Sequence, residues 1–392
     1  MKNNPTLNEL SDVLKKDVDL LLIAGEHSGD ELAADLISEL KINNPNLSIV
    51  GIGGAKIEAL SVPLLFNLVN FSVFGFTDVL KNYLFFKTLL ANVLDWIQEF
   101  SPKHICFIDY PGFNLRLAKE LYKKKLSAKG GGSIRLHYYV SPQIWAWKAK
   151  RRFQMEKYLN SLATLLPFEK QFYEDTSLPV TYVGHPFAKD DYPLRITRDP
   201  KGPIVLLPGS REKSVKKLCP IILDTFKALR KLDPSLRACI IYPSNLIKAT
   251  LEDIIIDYPK PLAESIDLLR NDFDHLNCRM ALMSSGTMSL SIALSGVPGT
   301  IIYSLSSLNY WILKFLMKVK FIGLANLILD EELYPELIQK SANSEQILKA
   351  LKSLSDQGVE ERFFKASQTI KELLNDRREM CVSEWLSSEM NR

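Results

Sequence analysis

The chain has 392 residues, 46% hydrophobic and 24% charged, which suits two or three domains at about 100–200 residues each and excludes a disordered, collagen-like or disulfide-stapled protein. Its net charge of +4, from 49 basic and 45 acidic side chains, is too mild to call for nucleic acid, and no such partner is expected. The five cysteines are scattered, without a CxxC pair or a histidine at ligand spacing, and read as reduced thiols of a cytosolic protein.

Residues 1–16 are polar and read as a short extension or helix. The buried-strand run 20–24 leads through Gly25-Glu-His-Ser-Gly-Asp30 into a helical pattern ending near Leu40. Further strand runs follow at 47–52, 105–108 and 136–140, and the run 105–108 ends at Asp109-Tyr-Pro-Gly-Phe-Asn114. Residues 187–203 hold Pro193, Pro200 and Pro203 and read as a linker. The rhythm restarts with strand runs at 204–207, 238–242, 280–283 and 299–303, and a charged helical tail begins at Ser344. This repetition predicts an α/β protein of two Rossmann-like domains, 1–190 and 191–392, with parallel sheets facing across a cleft. The uncharged stretches 59–77 and 280–313 are broken by proline, asparagine, serine and glycine, so neither reads as a membrane span.

Several strand-end loops carry candidate chemistry. The glycines of Gly25-Glu-His-Ser-Gly-Asp30 permit a tight turn and close ligand approach, but their spacing misses the dinucleotide fingerprint. In Pro208-Gly-Ser-Arg211, a cation stands beside the positive end of a helix; that placement is unfavourable unless an anion visits. Ser284-Ser-Gly-Thr287 leaves backbone N–H groups open to a diphosphate. Asp109, ending a strand, reads either as a general base or as a helix cap. Trp145 and Trp147 precede Lys148, Lys150, Arg151 and Arg152, forming either a core cluster or an aromatic and basic lip for an anionic, partly apolar substrate. The aromatic stretch around Phe85 and Phe86, and the segment with Lys314, Lys318 and Lys320, read as core helices or as basic amphipathic surface for an anionic membrane.

With those residues in view, the chain resembles the lipid-A-disaccharide synthase family from about Leu21 to Gln346. The shared strings run in order: Ala24-Gly-Glu-His-Ser-Gly-Asp30, Gly75-Phe-Thr-Asp-Val-Leu80, Ile108-Asp-Tyr-Pro-Gly-Phe-Asn114 and Tyr139-Val-Ser-Pro-Gln-Ile-Trp-Ala-Trp147. Leu166-Pro-Phe-Glu-Lys170, Tyr182-Val-Gly-His185, Leu206-Leu-Pro-Gly-Ser-Arg211, Ser285-Gly-Thr287 and Pro335-Glu-Leu-Ile-Gln339 follow. The resemblance implies a GT-B inverting glycosyltransferase that joins UDP-2,3-diacylglucosamine to 2,3-diacylglucosamine 1-phosphate (lipid X). The products are a β-1′,6-linked disaccharide 1-phosphate and UDP. It implies Asp109 as base and Arg211 as the phosphate-contacting cation. It also implies a donor site at Gly209, Ser210, Arg211, Ser285, Gly286, Thr287, Ser291 and Glu336, and an acceptor side at Gly25, Glu26, Ser28, Gly29, Asp30, Asn114, Ser141, Trp145 and Trp147. No cofactor or metal is expected. A dimer through the C-terminal region and a peripheral position on the cytoplasmic face of the inner membrane are implied. The chain departs from the family pattern at Gly112, where Asp is usual, at Ser214 and Ser291, where Glu is usual, and at Ala325, where Pro is usual. A related transferase with another UDP-sugar donor, and a non-catalytic membrane-bound relative, stand as alternatives.

Overall fold

The structure, a computed structural model, describes residues 5–8, 18–72, 83–190, 192–304, 320–354 and 358–392. The chain divides into two compact units: residues 1–184 with 377–392, and residues 185–376. The boundary therefore falls at Gly184, and the end of the tail returns to the first unit instead of staying with the second.

In the first unit the chain runs β1 (Leu20–Ala24), α1 (His27–Asn43), β2 (Ile49–Gly53), α2 (Ala55–Glu58), β3 (Leu64–Asn67), α3 (Val69–Ser72) and α4 (Tyr83–Phe100). It continues through β4 (His104–Ile108), α5 (Pro111–Lys123), β5 (Arg135–Tyr139), α6 (Arg151–Tyr158), β6 (Ser161–Thr164) and β7 (Val180–Tyr182). The seven strands are all parallel, in the order β3-β2-β1-β4-β5-β6-β7. Because side chains alternate across a strand, Leu21 and Ile23 face one helix layer while Leu20, Leu22 and Ala24 face the other. Burial on both faces explains the unbroken apolar strand runs.

In the second unit come β8 (Ile196–Arg198), β9 (Ile204–Leu207), α7 (Glu212–Leu232), β10 (Ala238–Tyr242), α8 (Asn245–Ile255), α9 (Lys260–Ala263) and β11 (Ile266–Arg270). Then follow β12 (Leu276–Cys278), β13 (Met280–Met283), α10 (Thr287–Leu294), β14 (Gly299–Tyr303), α11 (Leu324–Leu329), β15 (Glu336–Ile338), α12 (Ser344–Ser353) and α13 (Val359–Asn375). Its six-stranded parallel sheet has the order β11-β10-β9-β13-β14-β15, which repeats the order of the first unit's leading six strands. The stretch expected to be a bare linker holds β8, which pairs with β12 in a small separate sheet.

The last helix, α14 (Val382–Met390), docks on the first unit. Trp385 and Leu386 are buried among Leu20, Leu22, Ala33 and Leu36, and buried Glu389 pairs with Arg135 at 3.3 Å. His137 Nδ1 lies 3.9 Å from the same carboxylate and 2.8 Å from Ser161 Oγ.

Candidate active site

A sheet of this strand order has one switch point, where successive crossovers run to opposite sides, and ligands bind there beyond the strand ends. In the first unit it lies between β1 and β4, which pair in register from Leu20 with His104 to Ala24 with Ile108. The loops that leave these strands are the Gly25 loop and Asp109. They meet: a Cβ on Gly25 would overlap the Tyr110 ring, so only glycine fits there.

Asp109 and Tyr110 both adopt left-handed backbone, at φ 47° and 48°. That conformation costs a non-glycine residue roughly 1–2 kcal/mol, and it persists only where the surroundings over-determine it. The surroundings do so here. The Asp109 N–H donates to the Tyr139 carbonyl at 3.0 Å. Its carbonyl accepts from the Tyr138 hydroxyl at 2.5 Å and from Asn114 Nδ2 at 2.8 Å. Pro111 then starts α5 with its φ preset for a helix. Asp109 itself remains half-buried. Asn114 is fully buried, and its Oδ1 has no partner among the described residues. It serves as a strut of the turn.

The neighbouring loop, after β5, is also strained. Val140 has φ 74° and Lys148 φ 53°, and a β-branched residue there is a true outlier. Ser141 Oγ bonds the Tyr173 hydroxyl at 2.8 Å. Trp145 is buried and donates its indole N–H to Glu169 Oε1 at 3.3 Å. Glu169 also accepts from the Leu165 and Leu166 N–H groups at 3.1 and 3.0 Å. Burial pushes its carboxyl up to about 7, against those three hydrogen bonds, and the nearby Asp109 charge adds to the rise. Trp147 is half-buried, with Lys148 and Arg151 over its ring.

In the second unit the switch point lies between β9 and β13, in register from Ile204 with Met280 to Leu207 with Met283. Gly209 takes φ 117°, close to Ser214 and Ser284. Ser210 and Arg211 are exposed, and Arg211 is the N-cap of α7. Its charge is felt at the Tyr303 hydroxyl, which burial raises and Arg211 lowers. Gly286 and Thr287 are exposed at the start of α10, and a Cβ on Gly286 would meet nothing within 4 Å. Ser285 Oγ donates to the Ile322 carbonyl at 3.0 Å. Both helices thus begin just beyond paired strand ends, with Arg211 at the start of α7.

Other expected site residues have different roles. Asp30 is buried and accepts from the Gly54 and Lys56 N–H groups at 2.8 and 2.9 Å, so it caps α2 and its carboxylate is spent within the fold. Gly29 is buried where α1 passes Ile108, while Glu26 and Ser28 are half-buried at the loop. Glu336 likewise accepts from the Ile322 and Gly323 N–H groups, each at 2.8 Å at closest, and from Asn326 Nδ2 at 2.9 Å. It holds the start of α11. Ser291 is 6% exposed on α10. Gly112, by contrast, is exposed with open space around it. Phe85 and Phe86 are partly buried: Phe85 stacks on Phe71 at 4.9 Å and meets Phe86 edge-on at 5.5 Å, both packed on the core. At the start of that helix Tyr83, Leu84 and Lys87 are exposed, and Ala91, Asp95, Gln98 and Glu99 are exposed further along it. Lys320 is exposed above Phe321. Lys314, Lys318 and the 75–80 string lie outside the described residues.

Tyr138, Glu169 and Tyr303 were not singled out from sequence. Two signals point to them: Tyr138 precedes the Tyr139 string, and Glu169 lies within Leu166-Pro-Phe-Glu-Lys170.

The lipid-A-disaccharide synthetase family model matches residues 20–385. A lipid-A-disaccharide synthase of Coxiella burnetii (strain Dugway 5J108-111) is 36% identical over 340 residues, covering 84% of this chain and 86% of that one. The Nitrosococcus oceani enzyme is 34% identical, covering 88% and 90%. Lipid-A-disaccharide synthase 1 of Legionella pneumophila (strain Paris) is 33% identical, covering 92% and 94%. Among solved structures, the UDP complex of S. aureus MnaA superposes with a TM-score of 0.62 at 10% identity, covering 95% of each chain. The UDP-GlcNAc 2-epimerase of Neisseria meningitidis gives 0.59 at 11% identity, covering 91% and 99%. These likenesses establish the two-unit GT-B fold, and the sequence matches establish that the chain belongs to the lipid-A-disaccharide synthase family.

Proposed function

We propose that this chain is a glycosyltransferase of lipid A biosynthesis that condenses UDP-2,3-diacylglucosamine with 2,3-diacylglucosamine 1-phosphate. The acceptor 6-hydroxyl attacks the donor's anomeric carbon. The new C–O bond forms as the bond to UDP breaks, with inversion, and the hydroxyl proton passes to Asp109. The observation that carries this reading is Asp109 itself, held at the switch point on two left-handed residues by bonds to its own N–H and carbonyl. A base gains most when its position is settled before the reaction. Negative charge develops on the departing diphosphate, and Arg211 with the open starts of α7 and α10 is suited to receive it. The acceptor and base belong to the first unit and the donor to the second.

The acyl chains call for a lipid interface, since each buried CH₂ is worth ~0.8 kcal/mol. No helix among the described residues is long and apolar enough to cross a membrane. The surface reading rests on Tyr83 and Leu84, 51% and 65% exposed, with Lys87 beside them at the start of α4. We infer peripheral attachment to an anionic membrane face through this helix start.

The test is the purified full chain with both substrates in detergent, following UDP release and the disaccharide 1-phosphate by mass. Stoichiometric appearance of both is expected. UDP release without disaccharide, or no turnover with a folded protein, overturns the reading.

A further inference from the structure

Trp147 carries two cations on one ring. Lys148 Nζ lies 4.4 Å and the Arg151 guanidinium carbon 5.7 Å from its centroid. Neither has a carboxylate within ion-pair distance among the described residues, whereas Arg152, next in the chain, forks onto Asp175. Like charges so close repel each other. Burial, with the Arg151 charge adding to it, lowers Lys148 below the ordinary lysine range. The backbone also accepts a left-handed residue at Lys148 to hold this arrangement, and the Arg151 N–H closes the turn on the Lys148 carbonyl at 2.8 Å. A strained loop that gathers positive charge with no carboxylate partner among the described residues suits an anion.

Its location narrows which anion. The Arg151 charge is felt at the Tyr138 hydroxyl, the group that holds the Asp109 carbonyl. Arg151 therefore stands near the base, on the first unit, and Lys148 shares its ring. We propose that Lys148 and Arg151 on the Trp147 ring form the subsite for the phosphate monoester of the acyl-sugar acceptor. This rests on the function proposed above. A phosphate monoester carries about −1.5 to −2 charges at neutral pH, which answers two cations. Arginine supplies a planar fork to two oxygens and lysine a point charge. Holding the phosphate at one end of the hexose restricts where the hydroxyl at the other end lies, which is the positioning a fixed base requires.

The test uses the full chain in neutral detergent with two acceptors, diacylglucosamine 1-phosphate and the same lipid without its phosphate. Wild type should favour the phosphorylated acceptor about 10–100-fold in kcat/KM, the usual worth of a charged hydrogen-bonded contact. Lys148→Ala with Arg151→Ala should erase most of that preference through the acceptor KM, leaving the unphosphorylated acceptor and the donor KM unchanged. Each single variant should lose part of it. Lys150→Ala removes an equal charge from an exposed neighbour without a contact to that ring, and should retain the preference. A preference undiminished in the double variant overturns the proposal, as does an equal loss with both acceptors or a change confined to the donor KM. Loss of sedimentation with anionic vesicles alone, the acceptor preference being intact in micelles, would assign the cations to lipid headgroups and also overturn it. Calorimetric binding of the phosphorylated lipid separates subsite from reaction. Binding that depends on Lys148 and Arg151 without any disaccharide would uphold the subsite and defeat the proposed activity. Equal binding by wild type and the double variant would defeat the subsite whatever the activity.

Discussion

At the β1–β4 switch point the chain turns on Asp109 and Tyr110, both left-handed, with Val140 and Lys148 left-handed in the next loop. At the β9–β13 switch point the left-handed residue is Gly209, and Ser210, Arg211, Gly286 and Thr287 stand exposed at helix starts. The two sheets share a strand order, so topology does not account for the contrast. A proton acceptor works at one distance and angle, which calls for a turn clamped from several sides. A diphosphate is gripped by several N–H groups and a long cation, which calls for access more than for clamping. The first unit holds left-handed non-glycine residues at its switch point, and the second exposes its helix starts there.

The largest effect should come from Asp109→Asn. Asparagine tolerates left-handed backbone, so the turn survives while the base is lost. Turnover should fall ~10²–10⁴-fold, with the melting temperature and UDP affinity nearly unchanged. Near-normal turnover would return Asp109 to a purely structural role and dissolve the contrast. On the second unit, Arg211→Ala should weaken UDP by about 10–100-fold in calorimetry, and Arg211→Lys should recover only part because the fork is lost. Identical UDP affinity in wild type and the Ala variant would remove Arg211 from the diphosphate site.

The clamped unit should also show its buried titratable groups in the pH dependence of stability, with opposite signs. Glu169 is raised by burial to about 7 from 4.5. It binds its proton more tightly folded than unfolded, so its contribution is full below about 4.5 and is lost as pH rises through about 7. His137 is lowered by burial to about 3 from 6.5, with the His104 and Arg135 charges adding to the fall. Its contribution is full above about 6.5 and is lost as pH falls towards about 3. Each slope is at most ~1.4 kcal/mol per pH unit. Urea unfolding at a series of pH values should show Glu169→Gln flattening the decline between pH 4.5 and 7, and His137→Asn flattening the acid limb. Slopes unaltered by either variant would show that these groups titrate alike folded and unfolded.

The smallest effect is expected at the membrane. Leu84→Ser should weaken sedimentation with anionic vesicles several-fold and leave unfolding unchanged. Phe85→Ser should instead cost stability, ~1–3 kcal/mol, because that ring is packed on Phe71. If Phe85→Ser loosened vesicle binding without destabilising the chain, the aromatic cluster would be surface after all.

Much of this was legible in the residues. Strands buried on both faces announce themselves as unbroken apolar runs, and 20–24, 105–108 and 204–207 could be placed that way. The strand-end loops with Asp109, Gly209 and Ser285 followed from the strand–loop–helix rhythm. The shorter strands β6 and β7 escaped because three or four residues carry no periodicity, and β3 lay hidden inside an uncharged stretch. Tertiary structure alone decided which carboxylates have other duties. Asp30 and Glu336 have the right chemistry for a site, yet each faces the bare N–H groups of a short helix start and is consumed there. Sequence spacing does not say whose N–H groups a carboxylate will meet, since the donors to Asp30 lie 24 to 27 positions away. Nor does it say that Trp145 buries a carboxyl or that Trp147 collects two cations, because those pairings arise only where loops from different strands converge. Local pattern determined the strands and the order of the loops. Long-range packing determined which of their polar groups are left for chemistry.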